Sequence, residues 1–234
     1  MKIAVMQPYI FPYIGYFQMV NAVDKFVFYD DVNYIKQGWI NRNRILGSNK
    51  DYLFTVPLKN ASSFSLISET LINEVLFEKW KLKFLQTIQQ SYKKAPHFER
   101  VFDMLKTFFN SNYVSISEMA IESVKLVSEY LGLDTEFVLS SETYQNKELE
   151  RQERLIDICK TENANHYINA LGGQELYKKE DFLKEGIQLD FIKTQQIEYK
   201  QFNNEFMPWL SIIDVLMFNS KEEIAEMLNK YELV

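Results

Sequence analysis

Residues 3–31 read IAVMQPYIFPYIGYFQMVNAVDKFVFYDD, and the order of elements in this segment indicates the fold class. Its apolar run at 3–6 has the length of a buried strand and stops at the Gln-Pro pair that follows. Residues 14–23 can form a helix with an apolar stripe, and residues 25–29 form a second strand. A strand, a glycine-containing turn, a helix and a strand within about 30 residues predict a βαβ unit, in which the two strands are parallel.

The rest of the chain continues this alternation around a helical block between about 75 and 132. Further strands are predicted at 51–58, 136–139, 166–169 and 188–192, and further helices at 150–162 and 208–230, the last with a break near 219–220. Alternating strands and helices favour a parallel sheet. We therefore predict an α/β fold with a Rossmann-like, mostly parallel sheet and a helical insertion at about 75–132, in a single domain over residues 1–234.

Composition excludes several functional classes. The 234 residues can bury one sizeable core, and their net charge of −6 argues against a nucleic-acid partner. The single cysteine, Cys159, permits no internal disulfide, and only His97 and His166 could complement it, so no metal site of the usual kind is predicted. No apolar run approaches the ~20 residues of a membrane span, and the apolar start is too short for a signal peptide. We expect no membrane span and a cytoplasmic protein.

The aromatic loop after the first strand is the most unusual segment. It contains the candidate binding residues Gln7, Tyr9, Tyr13, Gly15 and Tyr16. Ligands of open parallel sheets bind beyond the carboxyl ends of the strands, which is where this loop falls. The free N–H groups at the start of the following helix suit a phosphate or a carboxylate. An aromatic loop that only covers the sheet edge is the alternative.

Two carboxylates, Asp30 and Asp31, follow the second strand. Paired carboxylates can hold Mg²⁺ together with substrate phosphates, or act as a base when one pKa is raised. Alternatively, an Asp-Asp pair often caps a turn or the following helix. The spacing does not choose between these roles.

A cationic stretch covers residues 36–44. Its candidate binding residues are Lys36, Trp39, Asn41, Arg42, Asn43 and Arg44. If the segment is extended, the two asparagines share one face and the two arginines share the other. Arginine forks match phosphates and carboxylates, whereas asparagine recognises amides and hydroxyls. In an acidic chain this cluster indicates an anionic small molecule, and a charged edge strand that discourages aggregation is the alternative.

Two later segments add weaker candidates. Asn169, Gly172 and Gly173 follow a predicted strand, where two glycines permit close approach of the backbone to a ligand. A plain left-handed turn also explains them. Ser211 and Asp214 lie near the start of the last helical region and can either contact a ligand or cap that helix.

Together these segments resemble the WbqC-like family of bacterial proteins. The resemblance rests on residues 6–9, 11–17, 29–32 and 38–45, and continues in 154–159, 172–173, 201–202 and 210–216. It implies a place among genes for cell-surface polysaccharides and transfer of glycine to an amino sugar. That reaction is amide formation on a nucleotide-linked or lipid-linked sugar. The resemblance implies no established catalytic residues.

The start of the chain is also similar to that of adenylate-forming nucleotidyltransferases. Their first loop carries His-x-Gly-His at the start of a helix, where this chain has Tyr-Ile-Gly-Tyr at 13–16. Both histidines are missing, and with them the charge that would bind a phosphate. Arg42 or Arg44 could substitute for that charge.

The leading hypothesis is an enzyme that acylates an amino sugar, with an amino acid as the acyl group, in O-antigen or capsule synthesis. The loop tyrosines would line the sugar or base pocket, the cationic stretch would hold phosphates, and Asp30 or Asp31 would deprotonate the attacking ammonium. The alternatives are a non-catalytic protein that binds a sugar nucleotide or acts as a scaffold, and an ATP-dependent adenylating enzyme. Neither a cofactor, an acyl donor nor an oligomeric state follows from the sequence.

Overall fold

A computed structural model of the chain describes residues 1–47, 50–202 and 205–234. The strands of this part are β1 (Lys2–Met6), β2 (Lys25–Phe28), β3 (Arg42–Leu46), β4 (Asp51–Thr55), β5 (Glu136–Leu139), β6 (His166–Ala170), β7 (Gln188–Thr194) and β8 (Tyr231–Leu233). The helices are α1 (Ile14–Asn21), α2 (Glu74–Tyr92), α3 (Phe98–Asn110), α4 (Ile116–Leu131), α5 (Ser140–Thr143), α6 (Arg151–Thr161), α7 (Lys179–Lys184), α8 (Ile212–Phe218) and α9 (Lys221–Leu228). A short 3-10 turn spans Leu171–Gly173.

The main sheet has six strands in the order β5-β2-β1-β6-β7-β8. The first five are parallel, and β8 runs antiparallel to β7. This arrangement confirms the predicted α/β class and the mostly parallel, Rossmann-like sheet. From β1 the chain proceeds to β2 on one side and later to β6 on the other. The strand order therefore reverses between β1 and β6, and the carboxyl edge there is where such sheets bind ligands.

Alternate residues of β1 bury against opposite sides of the sheet, as the period of a strand requires. Ile3 and Val5 pack in a smaller apolar cluster with Leu155 and Ile158 of α6. Ala4 packs in a larger cluster that also contains residues of α1, α2, α3, α4, α8 and α9. The sheet is thus covered on both faces, which explains why its strands read as continuous apolar runs.

Three features differ from the sequence-based prediction. The strand predicted at 51–58 ends at Thr55, before Pro57, and in the described part of the chain it pairs with β3 alone, as a separate two-stranded antiparallel sheet. The edge strand β8 was not predicted, because three residues are too short to show a period. The helical region predicted at 208–230 begins only at Ile212 and ends at Leu228, and the predicted break is confirmed at Asn219 and Ser220, where Ser220 caps α9.

The helical block comprises α2, α3 and α4, which together span Glu74–Leu131. Asn73 caps α2 by accepting a hydrogen bond from the Leu76 amide at 3.1 Å. Gly132 ends α4 with a φ of 73°, as the predicted glycine cap requires. The description of the chain as one domain with this block as an insertion stays a proposal.

Within the described ranges, none of the helices combines the length and the apolar character needed to cross a membrane.

Candidate functional site

Two adjoining cavities open at the carboxyl edge of the sheet. The smaller cavity, of about 190 Å³, lies at the point where the strand order reverses, against the ends of β1, β6 and β7. The larger cavity, of about 630 Å³, extends from it along the segment after β7. The two share Tyr13, Thr194 and Trp209 as a common wall. The larger volume lies within the ~300–1,000 Å³ that small-molecule sites usually occupy.

The smaller cavity is bordered by the start of α1. Tyr13 is the N-cap residue of that helix, and its side chain accepts no hydrogen bond from the first turn. A Cβ on Gly15 would lie 2.4 Å from the Tyr13 ring and 2.7 Å from the Thr194 hydroxyl oxygen. Glycine is therefore required for the close approach of α1, the Tyr13 ring and the end of β7. Gly172 lines the same cavity from the opposite side.

Four aromatic residues contribute to the wall of the larger cavity. Tyr13, Tyr199, Phe206 and Trp209 all line it. The rings of Tyr13 and Trp209 meet edge to face with their centroids 5.9 Å apart. Trp209 has a φ of 61° and a side chain that is 59% exposed, so its left-handed backbone turns a large ring towards solvent at the cavity mouth. Aromatic faces of this kind suit sugar rings and bases.

Asp214 anchors this wall from behind. Its carboxylate is fully buried and accepts hydrogen bonds from the Tyr199 hydroxyl at 2.6 Å, the Tyr92 hydroxyl at 2.7 Å and the Gln201 amide at 2.7 Å. Burial raises the pKa of Asp214, although the three hydrogen bonds act in the opposite direction. Because Asp214 holds the Tyr199 hydroxyl, Tyr199 offers its ring to the cavity.

The loop tyrosines are divided between the cavities and the core. Tyr13 and Tyr16 line the smaller cavity, whereas Tyr9 and Gln7 line neither. The Tyr16 hydroxyl donates to the Gln7 carbonyl at 3.0 Å, and its ring packs against Tyr9 at 5.7 Å. Burial raises the pKa of Tyr9 to about 12 and that of Tyr16 well above its ordinary value. These hydroxyls therefore stay protonated at neutral pH.

Two predicted binding residues hold the backbone of this loop. Phe11 has a φ of 40°, and its carbonyl accepts hydrogen bonds from the Asn43 amide at 2.8 Å and the Ser211 hydroxyl at 2.7 Å. The Phe11 N–H donates to the Ser123 hydroxyl at 2.9 Å. Ser211 also caps α8 by accepting from the Ile213 amide, as the capping interpretation predicted. Asn43 and Ser211 are therefore buried supports of the aromatic loop.

Asp30 and Asp31 lie at the end of β2 but line neither cavity. Asp30 accepts hydrogen bonds from the backbone and the hydroxyl of Ser141 at 2.9 and 2.6 Å, and so secures the start of α5. Asp31 is paired with the buried Arg154 at 2.6 Å, and Arg154 also donates to Asn146 at 2.9 Å. A role for either carboxylate as a base stays a prediction, and it would require these contacts to rearrange.

The cationic stretch forms a different surface. Arg42 and Arg44 stand over the half-exposed Trp39 ring at 5.6 and 5.8 Å, so the two arginines share a face as predicted. Lys36, which precedes Trp39 by three residues, is exposed. On the opposite face, Asn41 is buried and bonded to the Tyr34 hydroxyl and the Val56 carbonyl. None of these residues lines either cavity.

Gly172 and Gly173 have different roles. Gly172 lines the smaller cavity, and a Cβ there would meet no atom within 4 Å. A Cβ on Gly173 would lie 2.6 Å from the Asn169 amide nitrogen, so Gly173 is needed for packing. The Asn169 side chain accepts from the Ala170 N–H at 2.7 Å and does not line either cavity.

Sequence reasoning missed most of the larger cavity. Thr194, Glu198, Tyr199, Glu205 and Trp209 were not among the candidates, and all five line it. Thr194 is the last residue of β7, and the other four lie in a segment with neither helical nor strand period, so no pattern singled them out. The one available signal was a tryptophan beside a proline just before the last helical region. Among the described residues, no group of three or more His, Cys, Asp or Glu is arranged to hold a metal ion.

These features define an α/β protein with a Rossmann-like sheet and a two-part crevice at its carboxyl edge. The chain belongs to the WbqC-like protein family, whose sequence model matches residues 7–226. It is 29% identical over 230 residues to the uncharacterized protein Rv1507c of Mycobacterium tuberculosis, and the alignment covers 97% of each chain. No solved structure matches the chain.

Proposed function

We propose that this protein transfers an acyl group, such as that of an amino acid, to the amine of a nucleotide-linked amino sugar in O-antigen or capsule synthesis. Membership of the WbqC-like family supports the proposal at the level of the pathway. The observation that carries it is the larger cavity, whose size and aromatic wall of Tyr13, Tyr199, Phe206 and Trp209 suit a sugar ring. The reaction takes place in the cytoplasm, where nucleotide-linked sugars are made.

The reaction is amide formation from an activated acyl donor, for example a thioester. The sugar ammonium first loses one proton to a base, because only the neutral amine carries the electron pair that attacks the carbonyl carbon. The C–N bond forms, and the bond from that carbon to the leaving group breaks with its electron pair. The second amine proton leaves with the departing group or water. The protein contributes orientation of the two reactants and a carboxylate to take the first proton.

The test is direct assay of the purified protein with nucleotide-linked amino sugars. Each acceptor is combined with an amino-acyl thioester, an acyl-CoA, or a free amino acid with ATP and Mg²⁺, and products are identified by mass spectrometry. We expect an amide product with at least one activated donor. Amide formation and pyrophosphate release only with ATP and a free amino acid would instead establish the adenylating alternative. Binding of the sugar nucleotide without any product would contradict enzymatic transfer.

A second candidate function is binding of a sugar nucleotide without catalysis. The observation that favours it is the state of the two carboxylates predicted to act as bases, since Asp30 and Asp31 are both buried and bonded to Ser141 and Arg154. The Asp30→Asn and Asp31→Asn variants test their role. Full turnover in the folded variants would exclude both aspartates as the base. Loss of turnover without loss of ligand binding would support the substituted aspartate as the base.

A further inference from the structure

Among the described residues, the charged side chains that line the larger cavity are all negative. Its described wall contains two carboxylates, Glu198 and Glu205, and no lysine, arginine or histidine. Both glutamates are exposed to solvent. Two like charges beside one small volume attract a cation and repel a phosphate or a carboxylate. The anionic part of a ligand is therefore disfavoured in this cavity.

The aromatic rings that line the larger cavity also favour a cation over an anion. Tyr13, Phe206 and Trp209 place three rings around the same volume as the two glutamates. The faces of aromatic rings carry partial negative charge, and tryptophan attracts an ammonium group most strongly. The Tyr199 hydroxyl is held by Asp214, so this side chain too contributes a ring to the cavity. Aromatic faces and carboxylates together suit a ring-shaped ligand with a positive charge.

We infer that the larger cavity binds the amine-bearing ring of the acceptor as an ammonium ion, with Glu198 and Glu205 as its counter-charges. The identity of the ligand as an amino sugar rests on the proposed function. Charge then sets specificity, because neutral sugars and sugars whose amine is already acylated lack the attraction. It also favours release of product, since acylation converts the ammonium into a neutral amide.

Binding of three simple sugars to the full chain tests this inference. D-Glucosamine, D-glucose and N-acetyl-D-glucosamine differ only at one carbon, and at a pH near 6.5 the amine of the first is protonated, given a pKa of about 8 for such amines. We expect isothermal titration to show glucosamine binding at least about tenfold more tightly than the other two. In a Glu198→Gln, Glu205→Gln double variant, glucosamine should lose about tenfold in affinity, as expected for two solvent-exposed ion pairs, and should keep only the small preference over glucose that the aromatic rings supply.

Glu129→Gln is the matched control, because Glu129 is exposed on α4 and lines neither cavity. It should leave all three affinities unchanged, and the single Glu198→Gln and Glu205→Gln variants serve if the double variant does not fold. Equal affinity for the three sugars, or an unchanged preference in the double variant, would overturn the inference. Amide formation without this preference would leave the proposed function standing. Glucosamine selectivity without amide formation would support the inference about the cavity and contradict the proposed acyl transfer.

Discussion

At the scale of single residues, the chain places polar side chains behind the cavity as supports. The left-handed backbone of Phe11 is held by Asn43, Ser123 and Ser211, which lie 32, 112 and 200 residues away in sequence. A bulky residue adopts such a conformation only when its surroundings impose it. The sequence indicated that Asn43 and Ser211 were important, but partners so distant along the chain could not be deduced from it.

The Asn43→Ala variant tests this support. Its amide donates to the carbonyls of Ile10 and Phe11, and its oxygen accepts from the Arg44 N–H, so truncation leaves buried backbone groups without partners. We expect the free energy of unfolding to fall by about 1–3 kcal/mol in urea titrations. Thr55→Ala, on an exposed position of the neighbouring strand, should change it by less than about 0.5 kcal/mol. Equal effects of the two variants would contradict the assignment.

Asp214 gives the chain a specific dependence of stability on pH. Because burial raises its pKa in the folded state, the folded chain holds this proton more tightly than the unfolded chain. Its contribution to the free energy of unfolding therefore falls as the pH rises from the unfolded-state pKa of about 3.9 through the raised folded-state value. The Asp214→Asn variant has no titrating group at this position. Its free energy of unfolding relative to that of the wild type should therefore increase with pH across that window. A constant difference in denaturation experiments over the window would show that the pKa is not raised.

At the scale of elements, the βαβ start could be predicted because its signals are local. An apolar run, a proline-rich loop and a helical period each fit in a few residues, and β1, α1 and β2 follow them closely. The β3–β4 hairpin could not be placed, because alternation predicts a strand without naming its partner. The wall of the larger cavity was missed for a related reason, since its shape depends on hydrogen bonds to Asp214 rather than on a repeating pattern.

Gly15 and Gly172 form a matched pair for testing the smaller cavity at the start of α1. In Gly15→Ala the new Cβ would collide with Tyr13 and Thr194, whereas in Gly172→Ala it would meet nothing within 4 Å. We expect Gly15→Ala to lower the melting temperature and weaken sugar-nucleotide binding by tenfold or more, because the Tyr13 ring must move. Gly172→Ala should retain stability. Normal binding by Gly15→Ala would show that the Tyr13 position is not required.

At the scale of the whole molecule, the candidate residues form two surfaces. The cavities lie at the carboxyl edge of the sheet and include Trp209, whereas Trp39 lies with Arg42 and Arg44 on the hairpin surface. The sequence identified the hairpin surface more readily, because its charges are contiguous. The cavity is assembled from residues near 13 and residues beyond 193, which only the fold brings together. The proposed function requires the ligand to bind at the larger cavity.

Thermal unfolding of the wild type, Trp209→Ala and Trp39→Ala with a nucleotide-linked amino sugar distinguishes between the two surfaces. A ligand at about 100 times its dissociation constant adds roughly 2.7 kcal/mol, which corresponds to a rise of roughly 5–11 °C for a chain of this size. We predict this rise for the wild type and Trp39→Ala, and its loss in Trp209→Ala. A rise that persists in Trp209→Ala and disappears in Trp39→Ala would contradict the account and place the ligand on the arginine surface.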